Sequence, residues 1–459
     1  MFNSLKTQLT VLQQEGYSII RFLTWWVRHP LTFSISSKKP LVITKKIKGL
    51  LKLSYLIFGL LLAFSIFSRF YLVAPVSLLV FILEPFIYLF VATLLIIPYE
   101  KINRQRTIRR IRKEVLGNPD LTVIGITGSF GKTSVKDFLF TILSGWQETL
   151  KTPESYNTVF GIAKVVDLEL LSKTKIFICE MGAYVRGEIK EICRMMPPDY
   201  AILTAIGSQH LERFKSIENI IQAKFELIDA VKPSHALVNL DNPPIATRIT
   251  LPQYRDTQTY SLLNPQADFF VRKHTLSADG LNFTLTYRNQ NYIFSTTLFG
   301  TSNLYNLVAA ISMALLMNVP EEVIYKQVGK ITSSPHRLEL KKINKANLID
   351  NAFSSNEEGF TTLISDLSKL KGKKVLITPG IVELGIRTIE VHRRIGKLAA
   401  GVFDKFILVG KSIRTLSLEQ GLKRPVTFIP NSTNLWPLIE KLSKDYDWIL
   451  LENDLPDMF

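Results

Sequence analysis

Positions 123–139 read VIGITGSFGKTSVKDFL, placing Gly128, Gly131, Lys132, Thr133 and Ser134 between an apolar run and a helical pattern. Glycine-rich turns let backbone N–H groups curl around phosphate, and a helix that follows aims its positive end at the same point. In that geometry Gly128, Ser129 and Gly131 shape a nucleotide loop, Lys132 reaches the outer phosphates, and Thr133 with Ser134 beside it offers a hydroxyl to Mg2+. The strict phosphate-loop pattern is not met, because Ile126 stands where its first glycine would be. Further along, Glu180 closes the apolar run KIFICEM as a hard oxygen ligand for a metal. His210 follows YAILTAIG in the segment GSQH, and Lys224 lies in the helical stretch IENIIQAKFELIDA.

Those residues need a scaffold that gathers them. The runs LTVIGIT, KIFICEM, YAILTAIG and SHALVNL read as buried strands separated by helix-length segments. That alternation predicts an α/β fold with a P-loop-type, doubly wound, mostly parallel sheet. Ligands sit at the carboxyl ends of such strands, where these polar residues fall in order. Between Tyr254 and Phe299 the pattern alternates, LNFTLTYRNQNYIFSTTLF, and predicts an antiparallel β insertion. Beyond it KKVLITPG, DKFILVG and DWILLEN, interleaved with helical stretches such as VHRRIGKLAAGV, predict a C-terminal Rossmann-like α/β domain in which His392 is structural. The expected divisions are 1–113, 114–333 and 334–459.

The formal charge of +17 belongs mostly to one end: 17 Lys and Arg face three acids up to Lys113, against 39 and 36 after it. Basic flanks around apolar runs mark a membrane segment rather than a nucleic-acid face. The runs at about 51–68 and 71–98 approach the roughly 20 residues that cross a bilayer. Lys38, Lys39, Lys45, Lys46 and Lys48 precede them, Lys101 to Lys113 carry seven cations after them, and only Arg69 lies between. The expectation is a two-helix membrane anchor with both ends in the cytoplasm, at the inner leaflet of the cytoplasmic membrane. Upstream, YSIIRFLTWWVRHPLTF suits the headgroup layer. A transport path marked by Arg69 and Glu84 is the rival, disfavoured because two helices cannot enclose one alone. Cys179 and Cys193 make neither a disulfide framework nor a metal set.

The order of motifs resembles the Mur ligase family, which joins amino acids or peptides to cell-wall precursors using ATP, and within it the branch that adds D-alanyl-D-alanine. The matching stretches are TGSFGKTSVK, TPESYNTVFG, EMGAYVRGEIKEI, IGSQHLERFKSIENIIQAKFELI, GTSNLYNLVAAISMAL, HRLEL, LIDNAFSSNEEGF and PGIVELG. The resemblance implies ATP and two Mg2+ ions. It gives Lys132 the β- and γ-phosphates, and Thr133, Glu180 and His210 the metals. Lys224 matches the lysine that carries a carbamate supporting the second ion. Asn303 and Asn306 fall on the adenine side, Arg337 contacts nucleotide from the hinge, Asp350 reaches the ribose, and Thr152 and Asn157 lie near metal and substrate. The chain departs from the family at Asn351, where a second aspartate is usual, at Ser302, at Phe130 and in the ending LLENDLPDMF. The apolar runs stand where the family has a domain for the UDP end of the precursor.

The resemblance implies an amide ligase working through an acyl phosphate, with catalytic Lys132, Lys224 and His210, acting on a muropeptide precursor and D-alanyl-D-alanine. The acceptor is either the UDP-linked tripeptide or a lipid-linked muropeptide. A catalytically weak membrane-bound scaffold of the same shape is the second class of reading, and an ATP-driven transporter the third.

Overall fold

Val123, Ile124 and Ile126 are shut off from solvent on both faces, as a β-branched run between two helical layers requires. They form β1 (Thr122–Thr127) of a computed structural model that describes residues 3–15, 17–29, 41–67, 73–83, 85–153, 156–207, 209, 211–353, 355–382, 384–431 and 435–452. Lys38, Lys39, Arg69, Glu84, His210 and the tail after Glu452 lie outside the described residues.

With β2 (Thr149–Lys151), β3 (Ile176–Glu180), β4 (Tyr200–Leu203), β5 (Ala236–Asn239), β6 (Gln258–Ser261), β7 (Phe269–Ser277), β8 (Gly280–Tyr287) and β9 (Gln290–Thr296), β1 builds a nine-stranded sheet of order β2-β3-β1-β4-β5-β6-β7-β8-β9. Every pairing from β2 to β7 is parallel. The antiparallel strands expected after Tyr254 are β7, β8 and β9, and they continue the same sheet because Tyr260 of β6 pairs with Phe269 of β7. One face packs Ile124 and Ile126 against Val135 and Leu139 of helix Lys132–Leu143 and the apolar helix Thr301–Leu316. The other packs Val123, Phe177 and Leu203 against Val159, Ile192 and Phe225. Helices on both sides hold the carboxyl ends of β1, β3 and β4 level.

A second sheet contains β10 (Glu339–Ile343), β11 (Ala346–Asn351), β12 (Lys374–Thr378), β13 (Lys405–Val409), β14 (Thr427–Ile429) and β15 (Trp448–Glu452), in the order β10-β11-β15-β12-β13-β14. Only β10 and β11 pair antiparallel. His392 is buried in a helix on this sheet, accepting the Ile381 N–H at 2.9 Å with its other ring nitrogen 2.6 Å from the Thr388 carbonyl. Its hydrogen bonds are local, which is the structural role expected of it.

The chain divides into two compact units, Met1–Arg106 and Thr107–Phe459. In the first, Phe22 and Trp26 of helix Ile19–Arg28 pack on Phe86. Two helices, Lys46–Ser65 and Phe86–Leu116, are long and apolar enough to cross a membrane, and Leu56, Leu60, Phe64, Ile87 and Leu95 on them are exposed. The second apolar run differs from expectation. It is not one helix over 71–98 but two, Val73–Leu83 and Phe86–Leu116, separated at Pro85. Proline lacks the N–H of the helical ladder and turns its predecessor away from helical angles, so it sets the break. In the second unit, Ile108, Ile111 and Val115 are buried beside Val159 and Ile162, and Arg110 grips Asp167 through two bonds of 2.5 and 2.9 Å.

The two sheets of the second unit share a cap. Helix Thr301–Leu316 begins after Gly300, which has no side chain to satisfy the first turn. Buried Asp366 does so instead, accepting the Thr301 N–H at 2.7 Å and its hydroxyl at 2.6 Å. Asp366→Ala is expected to lower unfolding stability by about 1–2 kcal/mol in denaturant titration; an unchanged midpoint would show that water serves equally well.

Candidate nucleotide and metal site

The loop between β1 and helix Lys132–Leu143 is strapped to the end of β4. The Ser129 N–H donates to the Ala205 carbonyl at 2.7 Å, and its hydroxyl oxygen accepts the Gly207 N–H at 3.0 Å. Thr204 Oγ1 donates to the Phe130 carbonyl at 2.5 Å. Gly128 and Gly131 take φ of +153° and +83°, and a Cβ on Gly128 would strike Thr204 Oγ1. Glycine is therefore required twice here, for conformation and for close approach. A Cβ on Gly131 would lie 2.5 Å from Asn306 Oδ1, which puts that amide against the loop.

Lys132 folds back on this loop, its Nζ donating to the carbonyls of Gly128 at 2.7 Å and Ser129 at 3.2 Å. At the end of β3, Glu180 is 1% exposed and fully engaged. Oε2 accepts the Thr133 hydroxyl at 3.0 Å and Lys136 Nζ at 3.3 Å, and Oε1 accepts the Asn157 amide at 3.1 Å. Its backbone N–H donates to Thr152 Oγ1 at 3.1 Å. Thus Thr133, Glu180, Thr152 and Asn157, far apart in sequence, meet at one carboxylate.

Several charges meet at this point and shift one another. Burial pushes the Glu180 carboxyl up, but Lys132, Lys136 and the Asn157 and Thr133 donors outweigh it and hold it below its ordinary range. Burial lowers Lys132, with Arg337 adding to the effect and Glu180 opposing it. Burial and then the Lys132 charge bring buried Lys224 down to about 7, against the pull of Glu188, Glu180 and Glu226. Arg337 is lowered by burial and held up by Glu180 and Asp137, while its guanidinium lies 4.1 Å over the Phe353 ring. Glu180 thus meets the charges of Lys132, Lys136, Lys224 and Arg337, while Glu188 and Glu226 also act on Lys224 and Asp137 on Arg337. A hydroxyl and a carboxylate 3.0 Å apart, ringed by cations, fit a polyphosphate arriving with divalent ions and not a bare metal alone.

Other expected residues take different places. Ser134 is buried in the helix. Asn303 is buried and donates to the Phe299 carbonyl at 3.0 Å, so its amide secures its own helix. Asp350 is 1% exposed and bonded to His336 Nδ1 at 2.8 Å, Lys341 Nζ at 3.4 Å and the Ala352 N–H at 3.2 Å; none of these contacts reaches the Glu180 cluster. At the Asn351 departure, the amide donates to Glu452 Oε2 at 2.8 Å, which places a carboxylate beside the residue that lacks one. Burial raises Glu452 to about 7, opposed by Ser355 and Asn351. Lys136 joins the site without an expectation from sequence. Its signal was spacing: it follows Lys132 by four residues, one helical turn, on the face turned to β3.

The Lys224 environment has a measurable consequence. Its folded pKa of about 7 lies below the ordinary 10.5, so the unfolded chain binds that proton more tightly and stability rises with pH between the two values. In carbonate-free, metal-free buffer the melting temperature of the wild type, relative to Lys224→Met, is expected to climb from pH 7 to pH 10. Parallel curves would show that the amine titrates as an ordinary lysine.

With this geometry in place, comparison with known proteins is informative. Residues 126–314 match the Mur ligase middle domain. Over 66% of its length the chain is 28% identical to the UDP-N-acetylmuramoyl-tripeptide–D-alanyl-D-alanine ligase of Bacillus subtilis, of which 66% is covered. The enzyme of that name in Escherichia coli is 26% identical over 65% of the chain and 67% of its own length. The chain spans about two thirds of these relatives. Among solved structures, MurF from Acinetobacter baumannii superposes with a TM-score of 0.68 over 76% of this chain and 77% of that one at 24% identity. MurF from Thermotoga maritima, in complex with ADP, gives 0.69 over 76% and 80% at 23% identity, a likeness of fold. Domain match, motif order and fold agree: residues 126–314 are a Mur ligase middle domain, set in a chain whose fold is like that of MurF.

Proposed function

We propose that this chain is an ATP-dependent, ADP-forming ligase of peptidoglycan precursor synthesis that joins D-alanyl-D-alanine to the free carboxylate of a UDP-N-acetylmuramoyl-tripeptide. The observation that carries the reading is the meeting of Lys132, Thr133, Asn157 and Lys224 around Glu180 at the carboxyl ends of β1 and β3. The names of the Bacillus and Escherichia relatives support the substrates, and the ADP complex of the Thermotoga protein supports the nucleotide.

Lys132 leaves its loop carbonyls for the β- and γ-phosphates, and Asn306, pressed against Gly131, borders the base side. Thr133, Glu180, His210 and a carbamate on Lys224 are assigned to two Mg2+ ions, which when bound offset the charge of the triphosphate. An amine with a pKa brought down to about 7 has a substantial neutral fraction near neutral pH, and a neutral amine is what reacts with CO2 to form a carbamate. An oxygen of the acceptor carboxylate attacks the γ-phosphorus, and the bond to ADP breaks, leaving an acyl phosphate. The dipeptide amine then attacks the acyl carbon, phosphate leaves, and the nitrogen loses its proton. Arg337, carried on the segment before β10, brings a cation from the hinge side to the transferred group.

The apolar helices Lys46–Ser65 and Phe86–Leu116 are read as an anchor in the inner leaflet of the cytoplasmic membrane, with the ligase in the cytoplasm. They also favour the second acceptor, a lipid-linked muropeptide. ADP release from the detergent-solubilised chain with D-alanyl-D-alanine and either acceptor tests both. Turnover is expected only when ATP, dipeptide and acceptor are all present, and no turnover with either acceptor would leave a scaffold. Lys224→Ala is expected to be nearly inactive and partly restored by short carboxylic acids, whereas full activity would remove the carbamate.

A further inference from the structure

We propose that Lys136 is the resident cation of the Glu180 pocket, holding the carboxylate in place before any divalent ion arrives and making capture of that ion conditional on the nucleotide. This rests on the nucleotide-site reading above, which gives Lys136 no part.

Lys136 is fully buried, and its ammonium lies 3.3 Å from Oε2 of a carboxylate that is itself 1% exposed. A lysine stem in an apolar helix face is satisfied by packing, whereas a buried ammonium needs a countercharge. Glu180 provides it. The Thr133 hydroxyl at 3.0 Å shares Oε2 with the ammonium and the Asn157 amide reaches Oε1 at 3.1 Å, so both carboxylate oxygens already have protein donors. A bare divalent ion would have to displace a buried ammonium and enter a space that Lys132 and Arg337 also face, where charges of one sign repel at low dielectric. A triphosphate reverses that balance. Its oxygens draw Lys132 off the Gly128 and Ser129 carbonyls and bring negative charge that a divalent ion can share with Glu180. Lys136, one turn deeper in the helix, stays behind the carboxylate and fixes its orientation. It is a positioning residue.

The test uses the full chain in detergent without nucleotide, with Mg2+ alone as the probe, followed by titration calorimetry and thermal melting. The wild type is expected to show no heat and no melting shift at millimolar Mg2+. Lys136→Met is expected to melt lower without metal, and to bind Mg2+ alone at least about tenfold more tightly with partial recovery of its melting temperature. Lys136→Arg is expected to behave as wild type. Should Lys136→Met fail to fold, the double variant Lys136→Met/Glu180→Gln, which leaves no unpaired charge, is expected to fold and to ignore Mg2+. Failure of both variants would assign Lys136 to packing and overturn the proposal. Equal Mg2+ affinity in wild type and Lys136→Met would overturn it as well. ADP with Mg2+, titrated into the wild type, separates the two readings. No binding removes the nucleotide site itself, while normal ADP binding beside equal Mg2+ affinities removes only the role of Lys136.

Discussion

A single buried carboxylate organises this molecule's chemistry. Glu180 ends β3 with both oxygens and its backbone N–H engaged, by groups drawn from the helix after β1 and the segment after β2. Taking a carboxylate out of water is costly unless cations and donors replace the solvent, and here Lys132, Lys136, Thr133 and Asn157 do so together. Lys132 and Arg337, which feel this carboxylate, are cations that a polyphosphate can meet. The parallel sheet, the left-handed glycines and the Thr204 and Ser129 straps all serve to keep that charge at one point.

The second sheet is tied to the same point from the other side. Ser334, at the start of the connection to β10, donates to Asp137 Oδ2 at 2.7 Å, and Asp137 is the neighbour of Lys136 in the helix after the loop. Arg337 follows three residues later and feels both Glu180 and Asp137. Asp366 caps the helix that carries Asn303 and Asn306, and Glu358 Oε1 comes within 3.4 Å of where a Gly207 Cβ would stand. These contacts join the connection and first helix of one α/β layer to the phosphate-loop face of the other.

Much of this was legible residue by residue. The glycines, Lys132 and Thr133 were readable because a phosphate loop is local: turn, lysine and hydroxyl lie within a few residues, and backbone geometry alone dictates the glycines. The buried strands were readable because both faces are covered, which leaves unbroken apolar runs. The β10–β11 hairpin was less so, since Lys341 and Lys342 interrupt any apolar pattern on a strand whose residues are only partly buried. The break at Pro85 outvoted a hydrophobic run that composition alone extends through it.

Composition and motif order thus determined by themselves that the chain has an apolar, basic-flanked beginning, a phosphate loop between strand and helix, and a layered α/β pattern. Which side chains share a charge was decided only by tertiary structure. By spacing alone Lys136 and Lys224 are helix lysines, because sequence records neither burial nor the direction a side chain points; only the resemblance sets Lys224 by the metals and Asp350 by the ribose. Folding placed Lys136 against Glu180 and brought Lys224 within reach of its charge, and it holds Asp350 beside His336 and Lys341. Electrostatic energy depends on distance and on exclusion of water, and both come into being when distant strand ends are brought side by side.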